Sequence, residues 1–197
     1  FAGSTLTKAT LRAADLRGCD LSACALQDAV LAGADLDEAV ADDARLAGAD
    51  LADASLIGAR FEGATLTRAG LSGATVYEAT FIDTGLRGVD LSAARGEEAV
   101  FTGSDLTDAT ATESDFEGAD FSAIEAVGAD FSDSHLPSAD FSQSTLRSAD
   151  FSTAILRTAD FDGADLRDAT CSGVDAREAT FSGADLRGAT LTEADLS

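Results

Sequence analysis

The sequence predicts an all-β solenoid, a chain wound into a four-sided (quadrilateral) coil with no interrupting loops, and three observations predict it. Every Leu and every Phe stands at a residue number that leaves remainder one on division by five. Two residues before each lies a second set, nearly all small, from Ala9, Ala14, Cys19 and Cys24 to Ala194, with Thr84, Val89, Ile124 and Val174 its larger members. Composition also segregates by twenties. Phe1, Phe61, Phe81, Phe101, Phe121, Phe141, Phe161 and Phe181 share one register, and the register from Leu6 to Leu186 is Leu throughout except Ala126.

A five-residue spacing fits neither standard element. In an α-helix five residues overshoot a full turn by about 140°, so the Leu column would wind over every face. In a strand an odd spacing sends successive side chains to opposite sides. Either element leaves half the apolar residues in water, at about 25 cal/mol per Å² of lost burial. The chain must therefore turn once per pentad, and glycines such as Gly18, Gly33, Gly48 and Gly63 sit where such corners are needed. Segregation by twenties means four pentads per coil, with Phe rings stacked at the inter-strand spacing of about 4.8 Å. Nearly ten coils follow, a rod about 47 Å long, and residues 1–197 form one domain.

The pattern lapses at Gly96, Ala111 and Ala126, all positions where Leu or Phe belongs. Neighbouring phenylalanines restore the lost volume on one reading: Phe81 shares a coil with Gly96, Phe101 and Phe116 share one with Ala111, and Phe121 and Phe131 flank Ala126. On the other, the rod kinks or bulges near its middle. Compensation is the expectation, because a bulge would have to restore register. Ala41, with no Phe within its own twenty residues, is the expected place for a local cavity.

The unit Ala-Asp-Leu/Phe-X-X, seen as ADLRG from Ala14 to Gly18 and from Ala184 to Gly188 and as ADFS from Ala119, Ala139 and Ala149, resembles the pentapeptide-repeat proteins over the entire chain. That resemblance implies a right-handed quadrilateral β-helix with both apolar sets inward, and a family not known for catalysis. It further implies, for the acidic members, rods that imitate duplex DNA, bind type II topoisomerases and protect them from quinolones. Those members often carry loops and a C-terminal dimerising segment, which this chain lacks.

The charge agrees with an acidic rod. Thirteen Lys and Arg against 36 Asp and Glu leave a net charge of −23. That balance excludes direct binding of nucleic acid through a basic groove and of an anionic membrane through a polybasic patch. A 47 Å duplex carries roughly 28 negative charges, a comparable linear density. Sorted by side, three sides are acidic. The fourth is balanced by Lys8, Arg45, Arg68, Arg87, Arg147, Arg167 and Arg187. The densest stretch, residues 99–138, holds Asp105, Asp108, Glu113, Asp115, Glu117, Asp120, Glu125, Asp130 and Asp133, the candidate protein-binding residues. The expected partner is a DNA-binding protein such as DNA gyrase or topoisomerase IV. The alternative is a scaffold or interaction module of a larger protein. In that case the charge serves solubility, and Asp before the central residue at sixteen positions serves coil chemistry through side-chain to backbone hydrogen bonds. Phe1 and Leu196 occupy core positions, so either caps lie outside these residues or the ends pair, giving an end-to-end homodimer.

Catalysis is not expected, and neither is a cofactor or a metal. The single histidine, His135, is outward with no second His or Cys at ligand spacing, and nothing is placed to activate Ser132, Ser152 or Ser172. Asp35, Asp37, Glu38, Asp42 and Asp43 lack the spacing of a dedicated Ca²⁺ loop. Three cysteines, an odd number, suit a reducing compartment. With no membrane span or signal peptide in the sequence, a cytoplasmic location is expected.

Overall fold

In most repeats four of the five backbone amides donate to backbone carbonyls, and that accounting produces the fold. The computed structural model describes residues 1–197 and contains no helix. Counting each pentad from its Leu or Phe, the second and third residues form a turn and the fifth forms a β-bridge, without interruption along the chain. Each bridge is parallel and joins residue n to residue n+20. The bridges fall into four ladders, which start at Thr5, Thr10, Asp15 and Asp20.

Within a pentad the hydrogen bonds follow a fixed scheme. Leu6 N–H donates to Ala25 O at 2.7 Å, Lys8 N–H to Gln27 O at 2.9 Å, and Ala25 N–H to Ser4 O at 2.9 Å, all between coils. Ala9 N–H closes the turn on Leu6 O at 2.9 Å. The third residue of every turn has positive φ, whether it is glycine, as at Gly73 (68°), or not, as at Lys8 (59°). A turn closed by that i to i+3 bond, with positive φ at its third residue, is type II. Left-handed backbone disfavours a Cβ, and at Gly73 an added Cβ would also lie 2.5 Å from Asp53 Oδ1.

The fifth amide, on the residue after each Leu or Phe, donates to no backbone acceptor, and here the aspartates act. Of the sixteen Asp that precede a central residue, all but Asp175 accept the N–H two residues on, as Asp140 does from Ser142 at 2.8 Å. A carboxylate bonding its own chain two residues later is an Asx turn. The Ala-Asp-Leu preference is therefore, in part, the chemistry of an orphan donor.

The core is one cluster of inward Leu, Phe and Ala. Phe61, Phe81, Phe101, Phe121, Phe141, Phe161 and Phe181 stack in one file, with centroids 4.8–5.1 Å apart and planes within 8°. Phe116, Phe131 and Phe151 meet that file edge-on.

At Gly96 the rod neither kinks nor bulges, since the bridges Thr75–Arg95–Asp115 continue through it. The compensating ring is Phe116, one coil along the same column: a Cβ on Gly96 would overlap it and come 2.8 Å from Val76 Cγ2. Volume is restored along the axis, whereas the expected compensation from Phe81 lay within the coil. Ala41 is fully buried, and none of the three cavities of the rod is lined by it.

Some turns are rewired by inward hydroxyls. Ser104 Oγ donates to Phe81 O and accepts from Thr84 N–H at 2.8 Å. Likewise Ser144 Oγ donates to Phe121 O at 2.7 Å and accepts from Ile124 N–H at 3.1 Å. In both, a side chain from the following coil is inserted into an opened turn. Thr84 Oγ1 reaches Phe61 O at 2.7 Å, and Cys24 Sγ reaches Phe1 O at 2.8 Å, by the same 23-residue step.

Candidate functional site

The four ladders divide the nine candidate acidic residues rather than gathering them. Asp105, Asp108 and Glu125 belong to the Thr5 ladder and the turns beside it, where Asp105 bridges directly to Glu125. Glu113, Asp130 and Asp133 lie with the Thr10 ladder, Asp115 and Glu117 with the Asp15 ladder, and Asp120 with the Asp20 ladder. One flat partner surface cannot touch them all. Axial charge density had grouped residues that point in different directions.

What the fold does bring together are two strips free of cations. On the Asp20 ladder Asp120, Asp140 and Asp160 occupy successive rungs, with Asp162 in the turn beside them. After Arg60, which pairs with Asp42 at 2.5 Å, this side carries no Lys or Arg. On the Thr10 ladder Asp130 and Asp150 are adjacent rungs, flanked by Glu113 and Asp133. Its one cation, Arg12, lies 3.7 Å from Asp50. Asp140, Asp150, Asp160 and Asp162 were missed in the sequence; sorting acids by the twenty-residue register as well as by axial position finds them.

Elsewhere the cations are largely absorbed. Asp165 contacts Arg167 at 2.7 Å and Arg147 at 3.6 Å, and Asp185 pairs with Arg187 at 2.5 Å. Arg157 and Arg177 share Asp175 at 2.7 and 2.8 Å. Surface pairs such as these contribute little each, but they hold carboxyls ionised. The Arg187 hydrogen bond takes Asp185 down to about 2, and hydrogen bonds from Arg177 and Arg157 hold Asp175 lower still. For Asp120, partial burial acts upward, but hydrogen bonds from Ser122 and Thr102 outweigh it and hold the carboxyl below its ordinary value.

A pH test follows from Asp185. Its pKa is depressed from 3.8 to about 2, so its stabilising contribution is fully present above the unfolded value and lost as pH falls through the folded one. The Tm difference between the wild type and Asp185→Asn is expected to hold constant above about pH 5, to narrow below that and to close by about pH 1. A difference unchanged across that range in thermal melts contradicts the assignment.

His135 Nδ1 lies 3.0 Å from Asp115 Oδ1, a surface pair on adjacent rungs. Cys19, Cys24 and Cys171 are free, and burial pushes the Cys171 thiol up to about 11, an unreactive state. No group of three His, Cys, Asp or Glu converges to hold a metal ion. No helix is long and apolar enough to cross a membrane.

The geometry has a match among known families. The pentapeptide-repeat profile, described as "Pentapeptide repeats", matches eight copies, over residues 1–22, 44–81, 86–122, 127–163 and 159–197. The chain is a pentapeptide-repeat protein. With that membership goes the right-handed β-helix solenoid. Among solved structures this pentapeptide-repeat protein is similar to HetL of the cyanobacterium Nostoc, described as involved in heterocyst differentiation regulation. The identity is 27% over 99% of this chain and 88% of HetL, with a TM-score of 0.70. A trypsin-treated form of QnrB1, a plasmid-mediated fluoroquinolone resistance protein, is 19% identical over 98% of this chain and 88% of its own, with a TM-score of 0.43. A thylakoid-lumen pentapeptide-repeat protein of Arabidopsis thaliana is 27% identical over 59% of this chain and 71% of its own, with a TM-score of 0.22. No curated protein matches by sequence.

Proposed function

We propose that this pentapeptide-repeat protein is a non-enzymatic acidic rod, cytoplasmic, that occupies the basic groove of a DNA-handling protein in place of duplex DNA. A type II topoisomerase, DNA gyrase or topoisomerase IV, is the proposed target. In this reading residues 1–197 form one quadrilateral domain of about ten coils, since four turns fall within each twenty-residue bridge period. The observation that carries the proposal is the cation-free strip of Asp120, Asp140, Asp160 and Asp162. Its carboxylates recur at the coil spacing of about 4.8 Å, against one phosphate per about 3.4 Å along each strand of DNA.

A supercoiling assay with gyrase tests it. The protein is expected to inhibit at about 50 mM salt and to lose its effect by about 200 mM, since phosphate-like contacts lose affinity steeply over that range. Asp120→Asn, Asp140→Asn and Asp160→Asn together remove charge while keeping an oxygen that accepts the Ser122, Ser142 and Asp162 amides. They are expected to weaken inhibition at least tenfold with the rod intact. No inhibition at low salt removes gyrase as the target, and undiminished inhibition by the triple variant removes mimicry.

A second reading, a scaffold or interaction module, is favoured by the Asx turns, because fifteen aspartates already have a folding task. It expects the asparagine variants to bind their partner unchanged.

A further inference from the structure

The large apolar side chains that stand exposed are Phe1, Ile57, Leu191 and Leu196. Three of these belong to the first or last coils; Ile57 alone lies on the wall of the rod. One coil further along the same turn column comes Tyr77, the single tyrosine of the chain, and one coil beyond that Glu97. These three line a concavity of about 310 Å³ together with Glu78 and Glu98. The backbone ties the column together, with Gly58 N–H donating to Tyr77 O at 2.9 Å and Glu78 N–H to Glu97 O at 3.1 Å. Asp37 fixes the near edge by accepting from Ile57 N–H at 3.0 Å.

One feature sets this groove apart from the rest of the acidic surface. Its lining sets an aliphatic and an aromatic side chain beside three carboxylates, whereas the turn columns are otherwise mostly polar or glycine. Its three glutamates, like the other glutamates of the chain, have no Lys, Arg or His within 4 Å, so their charge is available to an incoming cation. Arg95 is the nearest cation on this side in sequence, and it is not part of the lining. An exposed Ile57 beside a half-buried Tyr77, rimmed by unpaired carboxylates, is complementary to a cation carried on an apolar stem. A tyrosine in a concavity is also the residue type on which binding energy concentrates.

We propose that this groove docks a basic segment of a partner protein, one in which Arg or Lys stands beside an aliphatic residue. The aliphatic group packs on Ile57 and Tyr77, and the cation is held by Glu78, Glu97 and Glu98. The proposal rests on the reading of the rod as a protein-binding surface, not on DNA mimicry, so it stands or falls separately from the supercoiling assay.

Tyr77 supplies the readout, because the chain holds no tryptophan and no other tyrosine. The probe is a synthetic peptide, Leu-Arg-Arg-Leu-Arg-Arg-Leu, titrated against the full chain at low salt, with hexalysine as a second probe. The Arg-Leu peptide is expected to change Tyr77 emission saturably and to bind at least fivefold more tightly than hexalysine. Calorimetry is expected to show at least a tenfold loss for Ile57→Ser, and the same for Glu78→Gln, Glu97→Gln and Glu98→Gln combined. The control set Glu62→Gln, Glu178→Gln and Glu193→Gln, three glutamates outside the groove, is expected to lose less than threefold. Circular dichroism verifies that each variant is folded. Equal losses in the groove and control sets, or hexalysine binding as tightly as the Arg-Leu peptide, overturn the proposal.

Discussion

Gly96→Leu is expected to destabilise the rod by about 3 kcal/mol, the upper end of overpacking, and most of that loss is expected to return when Phe116→Leu is added. The ring of Phe116 occupies the volume that a side chain at Gly96 needs. It cannot swing aside, because it stands edge-on to Phe101 at 5.6 Å and Phe121 at 5.5 Å. Phe116→Ala, which leaves the Gly96 space empty, is expected to cost about 3–5 kcal/mol. The double variant Gly96→Leu/Phe116→Leu rebuilds the ordinary leucine column between Val76 and Leu136. Urea unfolding of the singles and the double gives a cycle whose coupling is expected on the order of 2–3 kcal/mol. Additive losses would show that the two positions do not share one space.

Ser144→Ala is the second large effect. The Ser144 hydroxyl is both the acceptor for Ile124 N–H and a donor to Phe121 O, in a buried site. Its removal strands one donor and one acceptor, at about 1–3 kcal/mol for each unsatisfied group. Ser144→Cys is expected to recover part of the loss, since a thiol is a weak donor and acceptor and Cys24 already makes the equivalent bond to Phe1 O. Ser142→Ala, at the same turn's surface, serves as the control and is expected to stay within about 0.5 kcal/mol. A melt of Ser144→Ala within that margin would mean that the turn recloses on itself as its neighbours do.

The winding of this chain was legible in the sequence because its cause is local and repeated. A central residue at every fifth position and phenylalanine at every twentieth dictate the turn, the ladder step and the aromatic file. The aspartate caps were legible too, through the bond an Asx side chain makes two residues on. What escaped depends on neighbours twenty residues away. Phe116 fills the gap at Gly96 along the axis, while attention to the single coil pointed to Phe81. The spliced serines look like any small inward residue until the adjacent coil is in place. The acidic site was blurred for the same reason: Asp115 and Asp120 are near in sequence yet stand on different ladders, whereas Asp120 and Asp140 are on adjacent rungs.

Because residue n always meets residue n+20, the gene for such a rod has a natural increment of change. A deletion of five codons keeps every turn intact but carries the downstream phenylalanines onto a different ladder, out of line with the aromatic file before them. A deletion of twenty leaves each column in line and shortens the rod by one rung. Duplication and loss in whole periods are therefore the tolerated routes by which proteins of this design vary in length.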